Sequence, residues 1–107
     1  MGWIEEGFDR GIVLQLLKVF HSDSIASVTG VMALLAMADV GQRRRKLIRN
    51  LKVLAERGYV QLHTAAEFPK HLDSAGAAPD AVVGVRILPK GLSWADGEYS
   101  DDPKVLR

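Results

Sequence analysis

The chain has 107 residues, 48% hydrophobic and 25% charged, which suits one globular domain with a modest core. It contains no cysteine, which excludes disulfides, thiol nucleophiles and cysteine-ligated zinc or iron–sulfur clusters. Its net charge is only +1, yet between Gln42 and Arg57 seven cations (Arg43, Arg44, Arg45, Lys46, Arg49, Lys52, Arg57) face Glu56 alone, so this stretch carries +6 and the rest −5.

The N-terminal residues Met1 to Glu6 lack the basic start and apolar run of a secretory signal. The apolar run Val31 to Ala38 is far shorter than the ~20 residues a membrane helix needs. A soluble, cytoplasmic protein with no membrane partner is therefore expected. From Trp3 to Phe20, Ile4, Phe8, Ile12, Leu16 and Phe20 recur every fourth residue, joined by Val13, Leu17 and Val19, which predicts an amphipathic first helix. Gly7 and Gly11 each weaken a helix by ~1 kcal/mol relative to alanine, which puts its expected start at Asp9 or Arg10.

Ser24 to Val28 is a short segment able to be extended, and Ser27 or Thr29 is placed to cap a second helix. Val31, Met32, Leu34, Leu35 and Met37 make that helix apolar on most faces, with the methionines read as core filler. A turn at residues 39–42 leads into a third helix, from about Gln42 to Arg57. Its buried stripe is Leu47, Ile48, Leu51, Val53, Leu54 and Ala55, and Gly58 stands where a left-handed cap is wanted.

The periodicity then switches to two. Tyr59 to Thr64 alternates, with Val60 and Leu62 on one face and Gln61 and His63 on the other, and a second strand fits Val82 to Leu88. Between them, Ala65 to Ala81 contains Pro69 and Pro79; a loop of this length is either functional or disordered. Pro89 to Ala95 predicts a last helical turn that tucks Leu92 and Trp94 against the core. The polar stretch from Gly97 reads as a frayed tail, giving a domain over 1–97 and a tail over 98–107.

The order of helix, helix, turn, basic helix, strand, long loop, strand is that of an α+β winged helix-turn-helix: three helices and a two-stranded wing with a long loop. In such domains the third helix enters the major groove and its N-terminal residues reach the base edges. Arg45 and Arg49 are the leading groove candidates, and Asn50 is a candidate base reader at the margin. Arg43, Arg44, Lys46 and Lys52 are candidate phosphate contacts; on the wing, Lys70, His71 and Arg86 are further ones. The plain alternative is that the basic run is only the solvated face of an amphipathic helix, and that the long loop is a mobile surface feature.

His21, His63 and His71 lack metal-site spacing. Ser22, Ser24 and Ser27 lie near His21 without a glycine-framed nucleophile or paired acid, and no phosphate-binding glycine motif is present. Neither an enzyme nor a metal or other cofactor is expected. Asp101 and Asp102 read as solubilising.

The stretch Leu47-Ile48-Arg49-Asn50-Leu51-Lys52-Val53-Leu54-Ala55-Glu56-Arg57-Gly58-Tyr59-Val60 resembles the recognition-helix end of winged-helix transcription regulators of the MarR, PadR and ArsR type. Ile87 to Gly97 is similar to the step that follows their wing, and with Ala95 and Gly97 it looks most like small winged-helix proteins of Mu-like prophages. The resemblance spans roughly residues 11 to 97 and implies that Arg43 to Asn50 read double-stranded DNA. The loop over Ala65 to Ala81 is longer than a typical wing, and the long C-terminal dimerisation helix of many such regulators is missing. A homodimer would instead pair through helix 1, with Trp3 and Phe8. The expected function is a small DNA-binding transcriptional regulator. The alternative is a winged-helix protein–protein interaction module, such as a phage accessory or adaptor protein with no direct DNA readout. RNA binding is a weaker option, because no interleaved aromatic stacking platform is visible.

Overall fold

A computed structural model of the chain describes residues 2–98 and 102–106, with side chains from Glu6 onward within them. Trp3, Ile4 and Asp101, which figure in the reading above, have side chains outside that description. The fold is α+β. In chain order it runs α1 (Gly2–His21), β1 (Ala26–Ser27), α2 (Val28–Met37), α3 (Arg44–Glu56), β2 (Val60–Thr64), β3 (Val82–Ile87) and α4 (Pro89–Ala95), with a 3-10 turn at Leu72–Ser74 between β2 and β3.

The sheet has three strands in the order β1-β3-β2, antiparallel throughout. The β2–β3 register places Val60 opposite Ile87 and Leu62 opposite Val85, so the alternating apolar residues of the two strands share the core face. Two strands were expected; the third is β1, where Ala26 pairs with Val85 and Ser27 with Gly84. Two residues are too few for periodicity to reveal as a strand, and pairing with β3 is what defines them.

The core joins every layer. Val13, Leu14 and Leu17 of α1, Val28, Val31 and Leu35 of α2, and Leu47, Leu51 and Leu54 of α3 meet Val60, Val85 and Ile87 of the sheet and Trp94 of α4. Met32 packs against this cluster from the side, but Met37 is 83% exposed and fills no core. Ser27, rather than Thr29, caps α2: its hydroxyl accepts a hydrogen bond from the Gly30 amide at 2.9 Å. Gly58 follows α3 at φ +81°, a conformation costly for residues with a Cβ, and the Tyr59 amide returns to the Leu54 carbonyl.

Helix α1 begins well before Asp9, and its glycines are the reason rather than the obstacle. A Cβ on Gly11 would stand 1.9 Å from the Leu106 carbonyl oxygen and 2.9 Å from the Trp94 ring. Close packing against these neighbours outweighs the propensity cost of ~1 kcal/mol per glycine.

Residues 102–106 are the neighbours that matter, and they are not a frayed tail. The Leu106 amide donates to the Gly7 carbonyl at 2.9 Å, and Val105 is 2% exposed within the core. The Asp102 carboxylate accepts from Arg57 Nε at 2.6 Å and from the Tyr59 hydroxyl at 2.7 Å. Burial pushes the Asp102 carboxyl upward, but the bonds from Arg57, Tyr59 and the Lys104 amide outweigh it and hold its pKa below the ordinary 3.8. The strap therefore ties the start of α1 to the end of α3. Tyr59 sits at the same crossing: its carbonyl accepts from the Leu88 amide, and the Lys90 ammonium lies 4.5 Å from its ring centre.

The long β2–β3 connection is folded as well. Ala65 and Ala66 donate to the carbonyls of Ala81 and Pro79, which closes the neck of the loop. The buried Ser74 hydroxyl donates to the Phe68 carbonyl at 2.6 Å.

Candidate functional site

Helix α3 is built with two unlike sides. Leu47, Asn50, Leu51 and Leu54 are buried, whereas Arg45, Arg49, Lys52 and Glu56 are exposed. At 3.6 residues per turn, Arg45, Arg49 and Lys52 lie within about 60° of one another. With Ile48 they line one shallow hollow on the surface. Arg43 is the cap residue of the helix and makes no side-chain cap hydrogen bond. Cationic side chains therefore accompany the positive end of the helix dipole.

The cations differ in their partners. Lys46 pairs with Asp9 of α1 at 2.8 Å, and Arg49 with Glu6 of α1 at 3.0 Å. Arg49 remains 62% exposed, so the pair is of the weak surface kind, worth about 0–1 kcal/mol. Arg44 points away from this face toward the β2–β3 loop. Its guanidinium lies 3.4 Å from Thr29 Oγ1 and 4.0 Å from the Asp73 carboxylate. Asp73 also accepts from the Thr29 amide at 3.1 Å and the Thr29 hydroxyl at 2.7 Å. Burial raises the Asp73 pKa, but these Thr29 bonds and the Arg44 charge prevail and lower it.

Asn50 is not a base reader. It has no exposed surface, and both ends of its amide are engaged: Oδ1 accepts from Arg10 Nε at 3.1 Å, and Nδ2 donates to Gln42 Oε1 at 3.0 Å. Arg10, itself 6% exposed, also donates to the Lys104 carbonyl and to Glu6. Glu6 bridges Arg10 and Arg49. A buried polar network thus locks α1, α3 and the strap together, and it fixes α3 against α1.

Of the loop candidates, Lys70 and His71 are exposed, and His71 Nδ1 accepts from the Asp73 amide to cap the 3-10 turn. They share a loop that reaches Arg44 through Asp73. Arg86 is exposed on β3 in register with Gln61. What the residue pattern did not reveal is the set of carboxylates, Glu6, Asp9 and Asp73, that meet the basic helix. The acidic Glu5-Glu6 and Asp9 ahead of Arg10 were the available signal for the first two; Asp73 is brought in only by tertiary folding.

Among the described residues no three His, Asp or Glu side chains are grouped as a metal site would require, and no helix is long and apolar enough to cross a membrane. Comparison with protein-family models, curated proteins and solved structures finds no match to the chain.

Proposed function

We propose that the protein binds double-stranded DNA as a winged-helix domain and serves as a small transcriptional regulator in the cytoplasm. The observation that carries this reading is the division of α3: an outward face of Arg45, Arg49 and Lys52 backed by the buried Leu47, Leu51 and Leu54. The major groove is ~12 Å wide and admits one helix. Arginine can fork onto guanine O6 and N7, so Arg45 and Arg49 take the base-reading role, while Arg43 and Lys52 meet phosphates. The element order also favours the reading. Helices α2 and α3 are consecutive across a short turn, and the β2–β3 hairpin follows α3 directly as the wing. The protein acts by binding, without catalysis or cofactor.

The reading includes a homodimer through α1, where Phe8 and Val19 are exposed, presenting two α3 helices to half-sites about one helical turn apart. A monomeric mass in solution with and without duplex rejects that part.

The test is a fluorescence-anisotropy titration with random and genomic duplexes at two salt concentrations. Affinity is expected to fall with a log–log slope of ~0.9 per neutralised phosphate. Arg45→Ala with Arg49→Ala is expected to abolish sequence preference and weaken binding while the circular dichroism and melting temperature stay unchanged. Unchanged affinity in a folded double variant rejects the assignment of α3, and capture of a protein partner that survives nuclease treatment points to a protein-docking module.

A further inference from the structure

Three carboxylates meet the basic helix, and they are not equivalent. Glu6 and Asp9 lie on α1, which the Arg10–Asn50 hydrogen bond fixes against α3, and their own side chains are 28% and 22% exposed. Asp73 lies in the β2–β3 loop, and its side chain is 9% exposed. It draws the Thr29 amide and hydroxyl at the start of α2 together with the Arg44 guanidinium at the start of α3. The helix starts that a helix-turn-helix turns toward its duplex are thus bridged by one internal anion.

Resting on the DNA-binding reading, we propose that Asp73 is an intramolecular competitor of the nucleic-acid backbone. The loop carboxylate holds Arg44 and Thr29 in the free protein, and a phosphodiester takes its place on binding, releasing the loop. The exchange is chemically matched. A phosphate oxygen accepts the same hydrogen bonds from amide and hydroxyl that the carboxylate accepts now, and it offers the Arg44 guanidinium, at present an ion-pair partner at 4.0 Å, a direct hydrogen bond. Asp73 leaves nothing buried and unpaired, because its release carries it to water. Two neighbours suit the released state: Lys70 and His71 are exposed on the same loop, three and two residues before Asp73, and are freed to follow the backbone. The contact sets an affinity threshold, so that only a duplex placing a phosphate at Arg44 displaces the loop.

The experiment compares wild type with Asp73→Asn, using anisotropy on a random 20-base-pair duplex across a potassium chloride series. Asparagine keeps the shape and an acceptor oxygen but removes the charge. It is expected to bind about 3- to 10-fold tighter, with a salt slope steeper by about 0.9 because Arg44 becomes one more uncompensated phosphate contact. A second measurement uses wild type alone: amide hydrogen exchange over residues 65–81 is expected to quicken when the duplex is added. If wild type binds but Asp73→Asn binds equally or more weakly, and the loop keeps its protection, the competitor role is wrong and the DNA reading stands. If neither protein binds at low salt, both fall together. Binding by the variant alone supports both.

Discussion

At the scale of single residues, the fate of Asn50 shows how far one position in a helix can mislead. Helical spacing places position 50 at the border between the leucine stripe and the cationic face, and asparagine there reads naturally as a polar tip for a base edge. What decides its role is Arg10, 40 residues earlier, which donates to its amide oxygen inside the α1–α3 seam. No local pattern announces that partner. Replacing Asn50 with alanine leaves Arg10 Nε without its acceptor in a buried setting, a loss of about 1–3 kcal/mol. Urea denaturation should register that loss as a lower midpoint with little change in slope. If Asn50 instead acted on DNA, the variant would keep its stability and lose base preference.

Asp102 offers a second test at this scale. Its pKa is lower in the folded protein than the ordinary 3.8, so the folded state holds its charged form more strongly than the unfolded chain does. The stability it supplies is therefore complete above the unfolded value and drains away as pH falls toward the folded one. Asp102→Asn should be less stable near neutrality and show a flatter dependence on pH in that acid window. The measurement is thermal melting of both proteins from pH 7 downward. Parallel curves would remove Asp102 from the acid response.

At the scale of elements, the parts with strong repeating patterns were legible. Leu47, Leu51 and Leu54 alone fix the buried side of α3, and the alternation from Val60 to Leu62 fixes the inner face of β2, because burial of apolar side chains follows the period of the backbone. The start of α1 was not legible. Gly7 and Gly11 argue against a helix by propensity and for one by packing, and the packing partner, Leu106, arrives from the far end of the chain. Gly11→Ala is thus an informative change. On an isolated peptide it would favour helix; here its methyl collides with the strap carbonyl. Overpacking of this kind costs about 1–3 kcal/mol, and the variant should melt lower while trypsin cleaves after Lys104 more readily. A stabilised variant would mean that the strap is not seated as described.

The loop between β2 and β3 belongs to the same lesson. Its composition allowed either a working segment or disorder, since alanine, glycine and proline carry no periodicity. The ordering comes from a closed neck, a buried serine and Asp73 reaching to α2, all contacts across sequence gaps that composition does not encode.

At the scale of the whole molecule, an almost neutral chain is divided into a strongly basic segment and an acidic remainder, and folding brings parts of the two together. Arg44, Lys46 and Arg49 meet Asp73, Asp9 and Glu6, while Arg43, Arg45 and Lys52 stay exposed on the surface. Charge counted along the sequence therefore overstates the field a polyanion would meet. Duplex affinity should show a salt slope nearer that of three or four phosphates than of seven. Glu6→Gln, which removes the α1 charge paired with Arg49 and leaves every cation of the outward face in place, should steepen it in the same titration. An unchanged slope would mean that the α1 carboxylates do not screen α3.

Tyr59 has one more use that follows from where it stands. Its amide, carbonyl, hydroxyl and ring are each committed to a different part of the fold: the end of α3, the exit of β3, the strap and Lys90 in the first turn of α4. One chromophore thus samples four junctions at once. Its near-ultraviolet dichroism would fade in stages if those junctions came apart separately, and in one sigmoid if they fail as a unit, so the protein carries its own optical gauge of cooperativity.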